Sequence, residues 1–225
     1  MGWETIVVVE IDPACQRILA NRFPDALVYK DVRAYKSLFT CDIITAGFPC
    51  QPFSENGKRE GKHDERNLWP ETIRIIRATR PRWFVGENVP GIVTWNNGEM
   101  FSEVINDLKG EGYEVWPISI PALSVGAEHK RERIWFVAYD KSQRVQGLRA
   151  KRQQQSYALD EQVLPLGNSN GQWEVEPDVC RTDDGIPGRV DKTRAPRLKQ
   201  LGNAIVPQVA YQIFKAIEAF EQQQP

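Results

Sequence analysis

What this sequence lacks narrows its class first. Its 4 cysteines, Cys15, Cys41, Cys50 and Cys180, are scattered with no Cys-x-x-Cys pair. Neither a zinc site nor a disulfide framework is indicated, no metal is expected, and at least one thiol is left for chemistry. No apolar run approaches the ~20 residues of a membrane helix. Met1 leads into "GWETIVVVEID", without a basic start or a small-residue cleavage site, so no membrane association is expected and the cytoplasm is the expected compartment. An excess of positive charge is missing too: 29 Lys and Arg against 30 Asp and Glu leave a formal charge of −1, and composition by itself does not point to nucleic acid. Nor does a Gly-x-Gly loop follow the first apolar run, so no phosphate-cradling turn is indicated there.

What is present describes a globular chain. At 225 residues, 41% hydrophobic and 26% charged, it has enough apolar content for the core of one domain and a small appendage. Strand-like runs "TIVVVEI", "DIITAG", "RWFVGEN", "YEVWPISI" and "RIWFVAY" are interleaved with helical spacing. Helices are predicted from Pro13 through Phe23, with Ile18 and Leu19 inward, and from about Leu68 to Arg77. A third carries Met100, Phe101, Val104, Ile105 and Leu108 on one face, and a fourth runs from Pro207 to about Phe220. The alternation predicts an α/β fold with a mostly parallel sheet covered on both faces. Residues 1–140 form the expected core, 141–195 a short irregular insert rich in Gln, Gly and Asp, and 196–225 a segment returning to the core. Two basic clusters, Arg144 to Arg152 and Arg189 to Lys199, suit either a phosphate backbone or a solvated loop.

In such sheets function gathers at the carboxyl ends of strands. Cys50 follows "DIITAG", Glu87 with Asn88 follows "RWFVG", and Glu10 with Asp12 follows "TIVVV". The segment "ITAGFPCQPFSENG", residues 43 to 56, sets Cys50 between Pro49 and Pro52, with Gln51 and Ser54 nearby. A thiol at a strand-to-loop junction is either a nucleophile, if its thiolate is stabilised, or a small buried apolar group. Glu87 is either a helix-capping carboxylate or an acid whose pKa an apolar site raises far enough for it to donate a proton.

These residues carry a resemblance. "GFPCQPFS" resembles the catalytic Pro-Cys motif of DNA (cytosine-5) methyltransferases, and further motifs follow in the family's order: "ENVPG", "HKRERIWFVA" with His129 where the pattern has Gln, and "LGNAIVPQVA". "VEIDPACQRILANRFPD" and "YKDVR" resemble its cofactor segments. The resemblance implies a Rossmann-like methyltransferase fold and transfer of a methyl group from S-adenosylmethionine to carbon-5 of cytosine in double-stranded DNA. Cys50 would add to carbon-6 of a flipped-out base, Glu87 would hydrogen-bond the ring and protonate it, Arg133 would bind the cytosine carbonyl, and Arg131 would orient the site or contact phosphate. Gln51 and Ser54 would close on the DNA. Glu10 would accept the ribose hydroxyls of the cofactor, Ile11 would touch adenine and Asp31 would accept its amino group, with Leu68 and Asn203 as further cofactor contacts. The insert would read the target sequence, and which sequence that is does not emerge from its residues. Restriction-modification, phage self-protection and regulation are equally open as purposes.

The family's first strand and glycine-rich loop would lie before Met1, since Glu10 matches the end of its second strand. The expectation is therefore a truncated version of a longer protein, or a partner that supplies the missing first strand. Two other readings stand beside the enzyme: a catalytically impaired, methyltransferase-like DNA-binding protein, and a cytosine-modifying enzyme acting on RNA or nucleotides.

Overall fold

The computed structural model of the chain describes residues 2–36, 39–49, 67–140, 142 and 203–223. These fall into two compact units, one containing Gly2–Pro121 with the chain from Glu132, the other Ala122–Arg131 with the C-terminal stretch. Residues 143 to 202, with both basic clusters and most of the expected insert, lie outside the described residues.

In the larger unit, the run of three valines forms β1, Val7–Val9, as β-branched side chains favour. Asp12 then starts α1, Pro13–Arg22: its Oδ1 accepts from Ala14 N at 2.7 Å and Cys15 N at 3.3 Å, and Pro13 takes the first helical position. The helix returns the chain to β2, Leu27–Tyr29, which lies parallel to β1 with Val8 opposite Val28. Strand β2 has no counterpart among the sequence expectations, being too short to show a period. The inward placement of Ile18 is corrected as well: α1 buries no residue, and Ile18 is 58% exposed.

The second sheet has the order β3-β4-β6-β5. Strand β3, Ile43–Gly47, pairs in parallel with β4, Trp83–Asn88, through the crossover that contains α2, Trp69–Thr79. After the short α3, Gly91–Thr94, and α4, Glu99–Gly110, come β5, Glu114–Ile120, and β6, Arg133–Tyr139. Here the expectation of a mostly parallel sheet is qualified, because β6 runs antiparallel to both β4 and β5. The link from β5 to β6 contains only a 3-10 turn, Ala122–Val125, and antiparallel neighbours need no helical crossover.

Helices α2 and α4 present Trp69, Ile73 and Ile76, and Met100, Val104 and Leu108, at helical spacing to Phe84, Phe136 and Ala138 of the sheet. The indole of Trp69 is wholly buried and its Nε1 donates to Asp107 Oδ2 at 2.8 Å, so this side chain leaves no polar atom unmet. At the end of the sheet away from Glu87, Arg80 joins Glu111 and Asp140, and Tyr113 OH donates to Pro81 O at 2.5 Å. The Gly-x-Gly spacing of Gly110 to Gly112 works there as a helix stop, Gly112 having φ +89°. In the smaller unit α5, Pro207–Gln223, buries Val209, Ala210, Ile213 and Ile217 and touches the turn Ala122–Val125. Among the described residues, no helix is long and apolar enough to cross a membrane.

Gly86 is the tightest point of β4. A Cβ there would lie 2.9 Å from Phe84 Cε1 and 3.4 Å from Phe48 Cε1, inside a close-packed core. Gly86→Ala is expected to destabilise the fold by about 1–3 kcal/mol, read as a lower urea midpoint at unchanged m-value. An unshifted midpoint would contradict this packing.

Candidate active site

The site is built on the parallel pair β3–β4. Register places Gly47 opposite Glu87 at the carboxyl ends of both strands. Side chains alternate along a strand, so Glu87 leaves the core face occupied by Phe84 and shares the opposite face with Trp135, its cross-strand neighbour on β6. Arg133, two residues before Trp135, is on that same face and diagonal to Glu87. The guanidinium closes the diagonal: Arg133 Nε lies 2.9 Å from Glu87 Oε1, with the two side chains only 17% and 16% exposed. Its Nη1 also donates to Glu132 O at 2.8 Å, which aims the group along the strand end.

Gly47 keeps this face open, since a Cβ at that position would already be 3.7 Å from Glu87 Oε2. The chain leaving β3 is then tied down. Asn88, 2% exposed, donates from Nδ2 to Phe48 O at 3.2 Å and accepts at Oδ1 from Val89 N at 2.9 Å. Phe48 packs on Trp69 and Phe136. One buried amide thus fixes the last turn of chain before Cys50 against the strand that carries Glu87. Asn88 is the residue whose role the sequence reading missed; the available signal was an amide closing an otherwise apolar strand, beside the more conspicuous carboxylate. Cys50, Gln51 and Ser54 themselves lie outside the described residues.

The expected cofactor residues occupy the matching end of the β1–β2 pair. Val9 stands opposite Tyr29, so Glu10 and Ile11 leave one strand beside the residues that lead from the other to Asp31. Ile11, next in the chain to Glu10, is 65% exposed. Glu10 Oε1 accepts from Asp12 N at 2.8 Å, and Asp31 Oδ1 accepts from Arg33 N at 2.9 Å. An acceptor at the end of each strand and an exposed apolar side chain are the chemistry that a ligand offering hydroxyls and an amino group around a flat ring needs. Leu68 precedes α2, where its carbonyl accepts from Thr72 N and Oγ1 at 3.0 and 2.9 Å, and its half-buried side chain adds only apolar surface.

In the smaller unit Arg131 has φ +27°, a conformation non-glycine residues rarely adopt. Its Nη2 donates to Ala204 O, next to the exposed Asn203. Of the two proposed roles for Arg131, orientation has this bond in its favour: the side chain clips the loop before β6 to the C-terminal segment.

A second thiol provides a contrast. Cys41, just before β3 and so at the opposite end of that strand, has its pKa raised to about 11, first by burial and then by Asp42. Its thiolate is disfavoured at neutral pH, and the linked stability is complete below pH 9.0 and declines as pH rises towards 11. Iodoacetamide at pH 8 is therefore expected to leave Cys41 largely unmodified in the folded chain, by peptide mass mapping, with labelling increasing towards pH 11; rapid labelling at pH 8 would refute it. Asn88→Ala strands the Phe48 carbonyl and should cost about 1–3 kcal/mol in urea unfolding; a smaller loss than that of an exposed substitution would remove the lock described above.

Comparison with known proteins places the chain in a family. The family model for C-5 cytosine-specific DNA methylases matches residues 1–178. Type II methyltransferase M.BsuFI of Bacillus subtilis is 42% identical over 99 residues, covering 44% of this chain and 24% of its own. Type II methyltransferase M.MspI of Moraxella is 32% identical over 164 residues, covering 71% of this chain and 39% of its own. Among solved structures, a protein described as a DNA modification methyltransferase encoded within an E. coli prophage superposes with a TM-score of 0.53 at 29% identity, over 63% of this chain and 41% of that one. The chain thus spans about a quarter to two fifths of the length of these curated relatives. Matched by the family model over most of its length, the chain belongs to the C-5 cytosine-specific DNA methylase family.

Proposed function

We propose that this chain carries the catalytic face of an enzyme that methylates carbon-5 of cytosine in double-stranded DNA. The observation that carries the reading is the Glu87–Arg133 pair at 2.9 Å, set beside the exit of β3. Cys50 follows Gly47 by three residues, so chain connectivity holds it within about 11 Å of that strand end. Carbon-5 of cytosine is a poor nucleophile. Addition of the Cys50 thiolate to carbon-6 turns the ring into an enamine whose carbon-5 accepts a methyl group, after which a base removes the carbon-5 proton and the thiolate is expelled. Glu87 protonates the ring at nitrogen-3 as the thiolate adds, and Arg133 holds Glu87 in place while binding the ring carbonyl. The target atom is stacked inside a duplex, so the base must be flipped out, at a cost of about a few kcal/mol. Gln51 and Ser54 are assigned to the DNA side of the closed site, and Arg131 to orientation.

S-adenosylmethionine supplies an electrophilic methyl group when bound. Glu10, Ile11 and Asp31, with Leu68 and Asn203 as further contacts, would hold it. As a division of the chain, residues 1–140 are assigned to catalysis, 141–195 to target recognition and 196–225 to a segment completing the core. No Gly-x-Gly turn follows the first apolar run, and this favours a second reading, a DNA-binding methylase relative impaired in cofactor binding. Titration calorimetry with S-adenosylmethionine separates the two.

With DNA containing 5-fluorocytosine and S-adenosylmethionine, the enzyme is expected to form a denaturation-resistant adduct, because fluorine cannot leave as a proton does. Cys50→Ala should abolish it, and an undiminished adduct in that variant would overturn the assignment. Glu87→Gln should slow methyl transfer by about 10²–10⁴-fold, and a rate within twofold of the parent would remove Glu87 as the ring acid.

A further inference from the structure

The parallel pairing of β1 with β2 stops at Glu10 and Asp31, and a side chain of α1 takes over there. Leu27 N donates to Ile6 O at 3.0 Å and Glu10 N to Tyr29 O at 2.9 Å. Rungs of a parallel ladder are evenly spaced and advance by two residues on each strand, so the next one would run from Asp31 N to Glu10 O. No such bond is present among the described residues. Glu10 O accepts instead from Gln16 Nε2 at 2.6 Å, and Ile11 O lies 3.5 Å from the same nitrogen.

Gln16 is the fourth residue of α1, and its amide reaches back to carbonyls that lie before the helix, so it satisfies no group of the helix itself. Its hold falls on residues 10–12. Two further bonds close the same turn: Asp12 N donates to Glu10 Oε1 at 2.8 Å, and Asp12 Oδ1 accepts from Ala14 N at 2.7 Å. The Glu10 carboxylate is oriented through one of its oxygens, while Ile11 stays exposed. Helix α1 buries no residue, so these polar contacts, rather than apolar packing, fix its start on the end of β1. On the other strand Asp31 turns away through its own bonds, Oδ1 accepting from Arg33 N at 2.9 Å and its carbonyl from Ala34 N at 3.2 Å.

We propose that Gln16 is a positioning residue for the cofactor. By taking the place of the next rung, its side-chain amide ends the pairing of β1 with β2 and holds the backbone of Glu10 and Ile11 in the conformation that the nucleoside part of S-adenosylmethionine meets. Gln16 acts through those two residues, not by a contact of its own. Its loss therefore leaves the ligand contacts in place and adds the cost of ordering the turn when the ligand binds. The consequence for binding rests on the cofactor contacts proposed above; the hold on the turn stands apart from them.

Gln16→Met keeps the length of the side chain and removes the N–H donor, whereas Gln16→Lys supplies a donor of similar reach. Because α1 buries no residue, neither substitution disturbs the core. The first readout is amide hydrogen exchange in the ligand-free chain. Gln16→Met is expected to speed exchange at Asp12, whose N–H bonds Glu10 Oε1, by about three- to tenfold, with Val8, inside the ladder, unchanged. The second is titration calorimetry with S-adenosylmethionine: Kd should rise about three- to tenfold in Gln16→Met and return to within about twofold of the parent in Gln16→Lys. Unchanged exchange at Asp12, an unchanged Kd in Gln16→Met, or a Kd that Gln16→Lys does not restore overturns the proposal. A lower urea midpoint with Kd unchanged assigns Gln16 to the fold alone and overturns it too. A parent chain that takes up no S-adenosylmethionine defeats the cofactor contacts, and the role of Gln16 in binding with them. Exchange at Asp12 needs no ligand, so the two failures are told apart.

Discussion

Most of what this protein presents at its candidate site depends on the parallel pairing of β3 with β4 in one register. That register sets Gly47 against Glu87, and the antiparallel pairing of β4 with β6 then brings Arg133 to the same face. A slip of one residue would turn every side chain of β4 to the opposite face, moving Glu87 into the apolar core and Phe84 out of it. The close packing of Phe84, wholly buried on the core face, thus favours the register that places the charged pair, without any contact to it.

Polar groups within the core reinforce this register. The Asn88 amide accounts for both Phe48 O and Val89 N, and Trp69 Nε1 is satisfied by Asp107. Each such bond contributes only about 0.5–1.5 kcal/mol net, but leaving a buried partner unmet costs more. They act mainly against alternative arrangements, where the same groups would be buried without partners. Gly86 serves the same end by steric means, allowing Phe84 and Phe48 to close over the strand.

The other half of the larger unit is held differently. Strands β1 and β2 form a short parallel pair with a helix that buries no side chain. Its attachment to the remainder includes Arg74, whose Nη2 donates to Val32 O and Tyr35 O at 3.0 and 2.9 Å. Backbone hydrogen bonds are satisfied within each sheet, whereas the edges of β1 and β3 are open among the described residues.

The sequence by itself determined the local elements and the chemical inventory. The strand runs, the helical segments and the spacing of Cys50, Glu87, Arg131 and Arg133 were legible because periodicity, capping residues and motif order are properties of neighbouring residues. The first run was legible as a strand, but not the pair it forms, since β2 is too short to show a period. Ile18 was misplaced because an apolar residue on a helix reveals a preference for burial, not whether anything is there to bury it. Only tertiary structure decided that Arg133 reaches Glu87 from β6, that Asn88 locks the exit of β3, and that β6 reverses the sheet. Those facts rest on strand order and register, which join residues as far apart in the chain as Phe48 and Asn88, 40 positions from each other, and leave no local trace in the sequence.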